Sequence, residues 1–175
     1  MREDRLSVVA RAPGPLPEGL RHACAPADFD TARILFREYA ESLGVDLCFQ
    51  GFDRELAGLP GDYAPPSGRL LLAGPPGDAF GCAALRRLDD GIGEVKRMYV
   101  RPAHRGGGWG RCLAEVIIAE ARAAGYRELK LDTLKRLTAA RALYADLGFV
   151  ECEPYYVNPL PEVMYMTLRL DARSA

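Results

Sequence analysis

The sequence predicts an α/β domain of the α+β type, with helices on both faces of a mixed, mostly antiparallel sheet of six or seven strands. Three observations support this fold class. Helical periodicity precedes the first long strands, short apolar runs separated by turn residues follow, and two more helical stretches then alternate with strands. Elements in this order bury their apolar faces by packing helices in layers against one sheet.

The chain has 175 residues, a length that suits one domain. Residues 1–17 are rich in proline and show no sustained hydrophobic period. We therefore expect a loose N-terminal leader over residues 1–17 and a single domain over residues 18–171.

The first part of this domain is predicted to be mainly helical. A short strand is expected over residues 20–24, and Asp28 is the expected N-cap of a helix that runs to Leu43 along one apolar stripe. Residues 44–68 mix aromatic residues with glycine and proline, which indicates loops around a short helix near Arg54.

The second part is predicted to alternate between strands and helices. Apolar runs and turn residues predict strands over residues 69–73, 79–88 and 94–100, as an antiparallel meander. Later segments are expected to be helices at 113–124 and 138–147 and strands at 128–132, 149–152 and 163–170. Gly125 and Gly148 follow the two helices at positions typical of helix termination.

Composition excludes several classes of function. Lys and Arg number 23 against 24 Asp and Glu, so the formal charge of −1 predicts neither nucleic acid nor an anionic membrane as a partner. The chain has no apolar run long enough to span a membrane and no secretory signal pattern, so we expect a cytoplasmic protein. Five widely spaced cysteines and two histidines predict no metal site.

The most informative segment is Arg105–Arg111, with the sequence Arg-Gly-Gly-Gly-Trp-Gly-Arg, which leads directly into a predicted helix. Glycines let successive backbone N–H groups converge on a ligand, and a helix start adds unpaired N–H groups. The two arginines add fixed positive charge. The segment therefore predicts a phosphate or diphosphate site.

Three phosphate motifs compete for this segment. The Walker A string is missing from the sequence, and the dinucleotide fingerprint lacks its third glycine. Asp132 lies near the position of a ribose ligand, so a nucleotide-binding oxidoreductase stays open as an alternative. The third motif, [Arg/Gln]-x-x-Gly-x-[Gly/Ala], is satisfied by residues 105–110.

A second motif lies downstream, where residues 140–149 match Ala-x-x-Leu-Tyr-x-x-x-Gly-Phe. With both motifs in this order and a predicted strand between them, the chain resembles the GNAT superfamily of acyl-CoA-dependent N-acetyltransferases. The resemblance implies the GNAT fold. It also implies acetyl-CoA as co-substrate, without a metal, and direct transfer of the acetyl group to an amine.

The resemblance also implies which residues bind acetyl-CoA. The strand backbone at Met98 and Val100 would face the thioester and the pantetheine arm. The loop would hold the diphosphate through Arg105, Gly106, Gly107, Gly108, Trp109, Gly110 and Arg111. One position departs from the family: Leu137 stands where many relatives carry an asparagine that contacts the cofactor, and Thr133 or Thr138 is the candidate replacement.

Two residues are the catalytic candidates that the resemblance implies. Tyr144 matches the tyrosine often assigned as the general acid for the departing thiolate, and Glu94 lies where several relatives carry the general base. A buried aromatic with a satisfied hydroxyl remains the alternative for Tyr144. A solvated or salt-bridged strand residue remains the alternative for Glu94, whose pKa Lys96 would lower if both share a face.

The acceptor site is expected between the first helices and the late aromatic loop. Its candidate residues are Tyr39, Phe49, Lys96, Arg97, Tyr155, Tyr156 and Asn158. Lys96 or Arg97 paired with a substrate carboxylate would favour an amino-acid-like acceptor, whereas the aromatic loop could instead cap the sheet edge or lie in a dimer interface.

We therefore expect an N-acetyltransferase, monomeric or homodimeric, that acts on a primary amine of a small molecule. A non-catalytic CoA-binding regulatory module and an enzyme that acetylates protein or peptide amines are the alternatives.

Overall fold

The computed structural model describes residues 14–47 and 51–170. Its helices are α1 (Pro26–Leu43), α2 (Phe52–Gly58), α3 (Trp109–Ala123) and α4 (Thr138–Asp146). Its strands are β1 (Leu20–His22), β2 (Arg69–Ala73), β3 (Gly81–Asp89), β4 (Ile92–Val100), β5 (Glu128–Leu134), β6 (Val150–Cys152) and β7 (Val163–Arg169).

The described strands form one seven-stranded sheet in the order β1-β2-β3-β4-β5-β7-β6. Neighbours are antiparallel except β4 and β5, which are parallel. This confirms the predicted mixed, mostly antiparallel sheet and the meander through β2, β3 and β4. A sheet with one parallel pair is not the doubly wound parallel sheet of dinucleotide-binding domains.

The parallel pair is short and then opens. Ile92–Glu94 of β4 pair with Glu128–Lys130 of β5, and in the described residues the ladder ends there. β4 nevertheless continues to Val100 and β5 to Leu134. The two strands therefore leave a gap beyond their last pair, and this gap positions the candidate site.

A β-bulge lies in β4 beside the gap. The register between β3 and β4 shifts so that Arg97 and Met98 of β4 lie opposite Ala83 of β3, and Arg97 has a φ of 54°. Val95 and Met98 pack on the α3 side of the sheet, whereas Tyr99 packs on the α1 side. The bulge therefore changes which residues of β4 face each layer.

Hydrophobic clusters cover both faces of the sheet. Leu113 and Ile117 of α3 are fully buried against one face, and Leu35 and Phe36 of α1 are fully buried against the other. Each such side chain stabilises the fold by about 1.5–3 kcal/mol relative to exposure. Helices on both faces are therefore confirmed.

The starts of two helices differ from the prediction, because α3 begins at Trp109 rather than at residue 113 and α1 also begins earlier than expected. α1 begins at Pro26, with Ala25 rather than Asp28 as the N-cap residue, because proline suits the first turn of a helix. The Asp28 carboxylate instead reaches back from inside the first turn. It accepts hydrogen bonds from the N–H groups of Cys24 at 3.1 Å and Ala25 at 3.0 Å.

The N-terminal boundary stays a prediction, because residues 1–13 lie outside the described part of the chain. Within the described part, Leu16 packs against the α3-side cluster and the N–H of Leu20 donates to the carbonyl of Pro17 at 3.0 Å. Residue 171 is also outside the described ranges, so the division into a leader of residues 1–17 and a domain of residues 18–171 is untested.

Candidate active site

A long cleft, hereafter the cleft, lies between α1, the end of β4, the glycine-rich loop and the start of α4. Its volume is about 540 Å³. The wall residues used below are Met98 and Val100 of β4, Gly106 and Gly108 of the loop, Tyr39 of α1 and Tyr144 of α4. A cleft of this size can hold an extended ligand.

A smaller cavity of about 70 Å³, hereafter the splay cavity, lies in the gap between β4 and β5. Tyr39, Met98, Leu137 and Tyr144 line both this cavity and the cleft. The two spaces therefore adjoin at these side chains, and a group at the inner end of the cleft would meet a group in the splay cavity.

The glycine-rich loop presents backbone donors to the cleft. Gly106 and Gly108 each have a φ of 82°, and Gly108 is the N-cap residue of α3. Among the described residues, no protein acceptor takes a hydrogen bond from the N–H groups of Gly106, Gly107 or Gly108. A Cβ built on Gly106 or Gly108 meets open space, so a ligand can approach this backbone closely. The loop and the helix start fit a diphosphate.

The two arginines of the loop are placed differently. Arg105 lines the cleft, donates from Nε to the Val100 carbonyl at 2.9 Å and lies over the Tyr99 ring at 5.8 Å. Arg111 pairs instead with Asp146 of α4 at 2.8 Å and with Glu115 at 3.8 Å. Arg111 thus faces acidic side chains and is not among the residues that line the cleft, and its role in cofactor binding stays a prediction.

Two tyrosines lie at the junction of the cleft and the splay cavity. Burial raises the pKa of Tyr144 well above its ordinary value of 10.0. Burial also raises the pKa of Tyr39 to about 12, although the nearby Arg97 opposes the shift. Both phenols therefore keep their protons at neutral pH and can act there as hydrogen-bond or proton donors.

Glu94 is buried and fully partnered. Its Oε2 accepts a hydrogen bond from Arg86 Nε at 2.7 Å, and its Oε1 accepts one from the Tyr155 hydroxyl at 3.0 Å. Lys96 Nζ lies 3.6 Å from Oε1, so Glu94 and Lys96 share a face of β4 before the bulge. Glu94 lines neither the cleft nor the splay cavity, so any effect on a ligand there would pass through Lys96 or Tyr155.

Lys96 lines the splay cavity and is shared between two carboxylates. Its Nζ donates to Asp132 Oδ1 at 3.1 Å, and its side chain is 5% exposed. Arg97 also lines this cavity, with a side chain 3% exposed, and forms a bidentate pair with Glu55 at 2.9 and 2.6 Å. Both cations expected to meet a substrate carboxylate therefore have carboxylate partners within the protein.

The aromatic loop packs on β7 behind the splay cavity. The rings of Tyr155 and Tyr156 lie 5.2 and 5.5 Å from the ring of Tyr165. The Asn158 amide donates to the Tyr156 hydroxyl at 2.8 Å, and Tyr156 is hydrogen-bonded to Asp132. These three predicted acceptor residues hold the polar network in place, while Leu160 is the loop residue on the cavity wall.

Sequence reasoning did not assign an acceptor role to Asp132 or any role to Arg136. Asp132 lies just beyond the last β4–β5 pair, and the rule that ligands bind at the carboxyl ends of parallel strands is the signal that identifies it. Arg136 lines the cleft, donates to the Leu43 carbonyl and pairs with Glu162 at 3.4 Å.

The position that departs from the family motif lies at the same junction. Leu137 contacts both spaces, with Thr138 on the cleft wall and Thr133 on the wall of the splay cavity. Phe49, the remaining acceptor candidate, lies outside the described residues.

Residues 14–47 and 51–170 lack two further features. They contain no group of three or more His, Cys, Asp or Glu side chains that could hold a metal ion. None of their helices is long and apolar enough to cross a membrane.

The chain is similar to known acetyltransferases in sequence. A profile of the acetyltransferase (GNAT) family matches residues 33–149. An uncharacterised N-acetyltransferase of Schizosaccharomyces pombe is 43% identical over 147 residues, which cover 83% of this chain and 90% of the relative.

Solved structures share the fold. A GNAT-family acetyltransferase of Staphylococcus aureus superposes with a TM-score of 0.70 at 19% identity, over 86% of this chain and 99% of that one. A GNAT-family acetyltransferase of Elizabethkingia anophelis, solved with acetyl-CoA bound, superposes with a TM-score of 0.51 at 25% identity. This match covers 59% of this chain and 77% of the Elizabethkingia chain.

Proposed function

Because the chain belongs to the GNAT family and is an acyltransferase that uses acetyl-CoA, we propose that it transfers the acetyl group directly to the primary amine of a small molecule. The observation that carries this proposal is the junction of two spaces at Tyr144. The cleft suits the long cofactor, and the splay cavity suits a small acceptor.

The residues of the cleft fit acetyl-CoA. The N–H groups of Gly106, Gly107 and Gly108, which have no hydrogen-bond acceptor in the described part of the chain, would hold the diphosphate together with Trp109 and Gly110 at the start of α3. Arg105 would add charge. Met98 and Val100 line the route from this loop to Tyr144 and would flank the pantetheine arm. Acetyl-CoA supplies an acetyl group activated as a thioester.

Tyr144 is the proposed general acid. Its side chain lines the cleft, and its hydroxyl keeps its proton at neutral pH, so it can donate to the departing sulfur. Tyr39, on the opposite wall, can orient the reacting groups by donating a hydrogen bond. For Glu94 we propose an indirect role, because its carboxylate contacts Lys96 and Tyr155 and lines neither the cleft nor the splay cavity.

The proposed acceptor is small, and a carboxylate on it is not required. A cavity of about 70 Å³ leaves room for a short side chain rather than a folded protein segment. Because Lys96 and Arg97 are already paired, the carboxylate of an amino-acid-like acceptor would have to compete with Asp132 or Glu55. Comparing each amino acid with the amine that lacks its carboxylate therefore separates the two classes of acceptor.

Ligand binding and thiol release test the proposal together. Acetyl-CoA at 100-fold over its Kd should add about 2.7 kcal/mol of stability and raise the Tm by about 5–10 °C, whereas NAD(P) should not. A screen of small primary amines should then release CoA thiol in step with an acetylated amine. Protection without transfer to any amine would favour the regulatory module, and transfer only to peptide amines would favour the other alternative.

The cytoplasmic location and the choice between monomer and homodimer stay predictions. Fractionation of the cells that make the protein tests the location, and sedimentation of the full chain tests the oligomeric state.

A further inference from the structure

Two carboxylates flank the ammonium of Lys96, and only one of them faces a ligand space. Asp132 Oδ1 lies 3.1 Å from Lys96 Nζ, and Glu94 Oε1 lies 3.6 Å from it. Glu94 is 1% exposed and also bound by Arg86 and Tyr155. Among the described residues that line the cleft or the splay cavity, Asp132 is the only carboxylate.

Asp132 is also close to the reacting end of the cleft. Burial is the main cause of the raised pKa of Tyr39 and of Tyr144, and the negative charge of Asp132 contributes to both shifts. The carboxylate therefore lies within electrostatic range of the two phenols at the junction. An acceptor ammonium in the splay cavity would meet the Asp132 carboxylate on the cavity wall.

Lys96 can release Asp132 without becoming an unpaired buried cation. Its ammonium already lies within reach of Glu94 on its own strand. When a ligand cation enters the splay cavity, Lys96 can stay paired with Glu94 while Asp132 pairs with the ligand cation. This arrangement avoids the large cost of burying a charge without a partner.

We propose that Asp132 binds the ammonium group of the acceptor and takes up its proton as the nitrogen attacks the acetyl group. This inference rests on the proposed function. The ammonium proton moves to Asp132, the nitrogen electron pair forms the C–N bond and the C–S bond breaks. Tyr144 donates its proton to sulfur and regains one from nitrogen, so that one proton remains on Asp132 and then passes to water. Because a carboxylate is a weak base for an ammonium, the transfer accompanies bond formation.

Binding of a simple cation tests the inference without acetyl transfer. The probes are n-butylammonium and its neutral counterpart butan-1-ol, titrated into the full chain and observed by ligand NMR. Asp132→Asn should weaken n-butylammonium binding by about 10-fold or more, as expected for a hydrogen bond between charged groups. Glu94→Gln should weaken it by less than Asp132→Asn does, because Lys96 loses the partner that lets it release Asp132. Butan-1-ol binding should not change in either variant.

Two further measurements keep the result decisive. Acetyl-CoA binding should be unchanged in Asp132→Asn, which shows an intact fold, while kcat for n-butylamine falls by about 100-fold. If Asp132→Asn does not fold, Lys96→Met should strengthen n-butylammonium binding, because it removes the cation that competes for Asp132.

Several results overturn the inference alone. The inference is wrong if wild type and Asp132→Asn bind n-butylammonium equally, if Glu94→Gln loses more affinity than Asp132→Asn, or if wild type does not bind n-butylammonium. In each case acetyl transfer to other amines would continue. Unchanged or weaker n-butylammonium binding in Lys96→Met would also overturn the inference. Failure to bind acetyl-CoA or to acetylate any amine would instead overturn the proposed function.

Discussion

The cleft and the splay cavity adjoin at Tyr144 but are built from different parts of the chain. The cleft draws its binding groups from one continuous segment, in which the backbone of Gly106, Gly107 and Gly108 is unpaired within the described protein. The splay cavity draws its charged groups from separate strands, and each is paired. Under the proposed function, the difference teaches that a ligand common to a whole family is held by backbone groups, whereas a particular acceptor is selected by side chains.

The two regions also differ in how their charges meet a ligand. Arg105 is exposed at the cleft, and the one hydrogen bond that the structure shows for it goes to a carbonyl, so it can approach a phosphate directly. Lys96 and Arg97 are buried and neutralised before any ligand arrives. We therefore expect changes in the cleft to alter cofactor affinity and changes at the cavity to alter turnover.

The largest effect should come from the residue at the junction. Tyr144→Phe should lower kcat about 100-fold, because the departing sulfur loses its proton donor, while the Kd of acetyl-CoA changes by less than about twofold. Steady-state kinetics and calorimetry measure the two quantities. Tyr126→Phe is the matched control, because that hydroxyl donates to the Ser67 carbonyl and lines neither space. A large loss of acetyl-CoA affinity in Tyr144→Phe would contradict a catalytic role for Tyr144 that is separate from cofactor binding.

An intermediate effect is expected at the glycine loop. Gly108→Ala should weaken acetyl-CoA binding about 10-fold, because a φ of 82° is strained for alanine and the N–H groups at the start of α3 would shift. Gly125→Ala provides the control: it has a φ of 87°, open space around its Cβ and a place just beyond the other end of α3. Both variants should lose about 1 kcal/mol of stability. Calorimetry that shows equal affinity losses would trace the effect to the fold rather than to the loop.

The smallest effect compares the two arginines of the loop. Arg105→Ala should weaken acetyl-CoA binding about fivefold at low salt and less at high salt, because screening shortens the range of an exposed charge. Arg111→Ala should change the affinity by less than about twofold, since its guanidinium faces Asp146 and Glu115. Titrations at two ionic strengths measure both. An equal loss in Arg111→Ala would restore the symmetric role that the sequence suggested for the pair.

Much of the fold followed from local rules. Gly125 and Gly148 end their helices in the left-handed conformation, as their positions after apolar periodic segments indicated. The helix start near Asp28 was misplaced because a carboxylate at the third helical position also caps a helix start, by reaching back to N–H groups before the first turn, here those of Cys24 and Ala25. Strand ends extended beyond the predictions where pairing, rather than composition, sets the limit, as for β5 to Leu134.

Sequence reasoning could predict the loop of the cleft but not the charge pairs of the splay cavity. The cleft loop is a continuous motif, so Arg105–Gly110 is recognisable from the order of its residues alone. The partners of Lys96 and Arg97 cannot be recognised in this way, because Asp132 and Glu55 are distant from them in sequence and the pairing depends on how the strands separate. A charged residue alone does not reveal whether its charge is already neutralised, and this is what the acceptor assignment required.

The bulge in β4 determines which face of the sheet the side chains before it and the side chains after it point to. Upstream of Arg97 the strand places Glu94 and Lys96 in the polar network, and downstream it turns Met98 toward the α3 side. Removing one residue at this point would reverse the orientation of everything on one side of it. This strand should therefore tolerate exchanges of side chains far more readily than single-residue deletions, because a deletion changes the face to which each residue beyond it points.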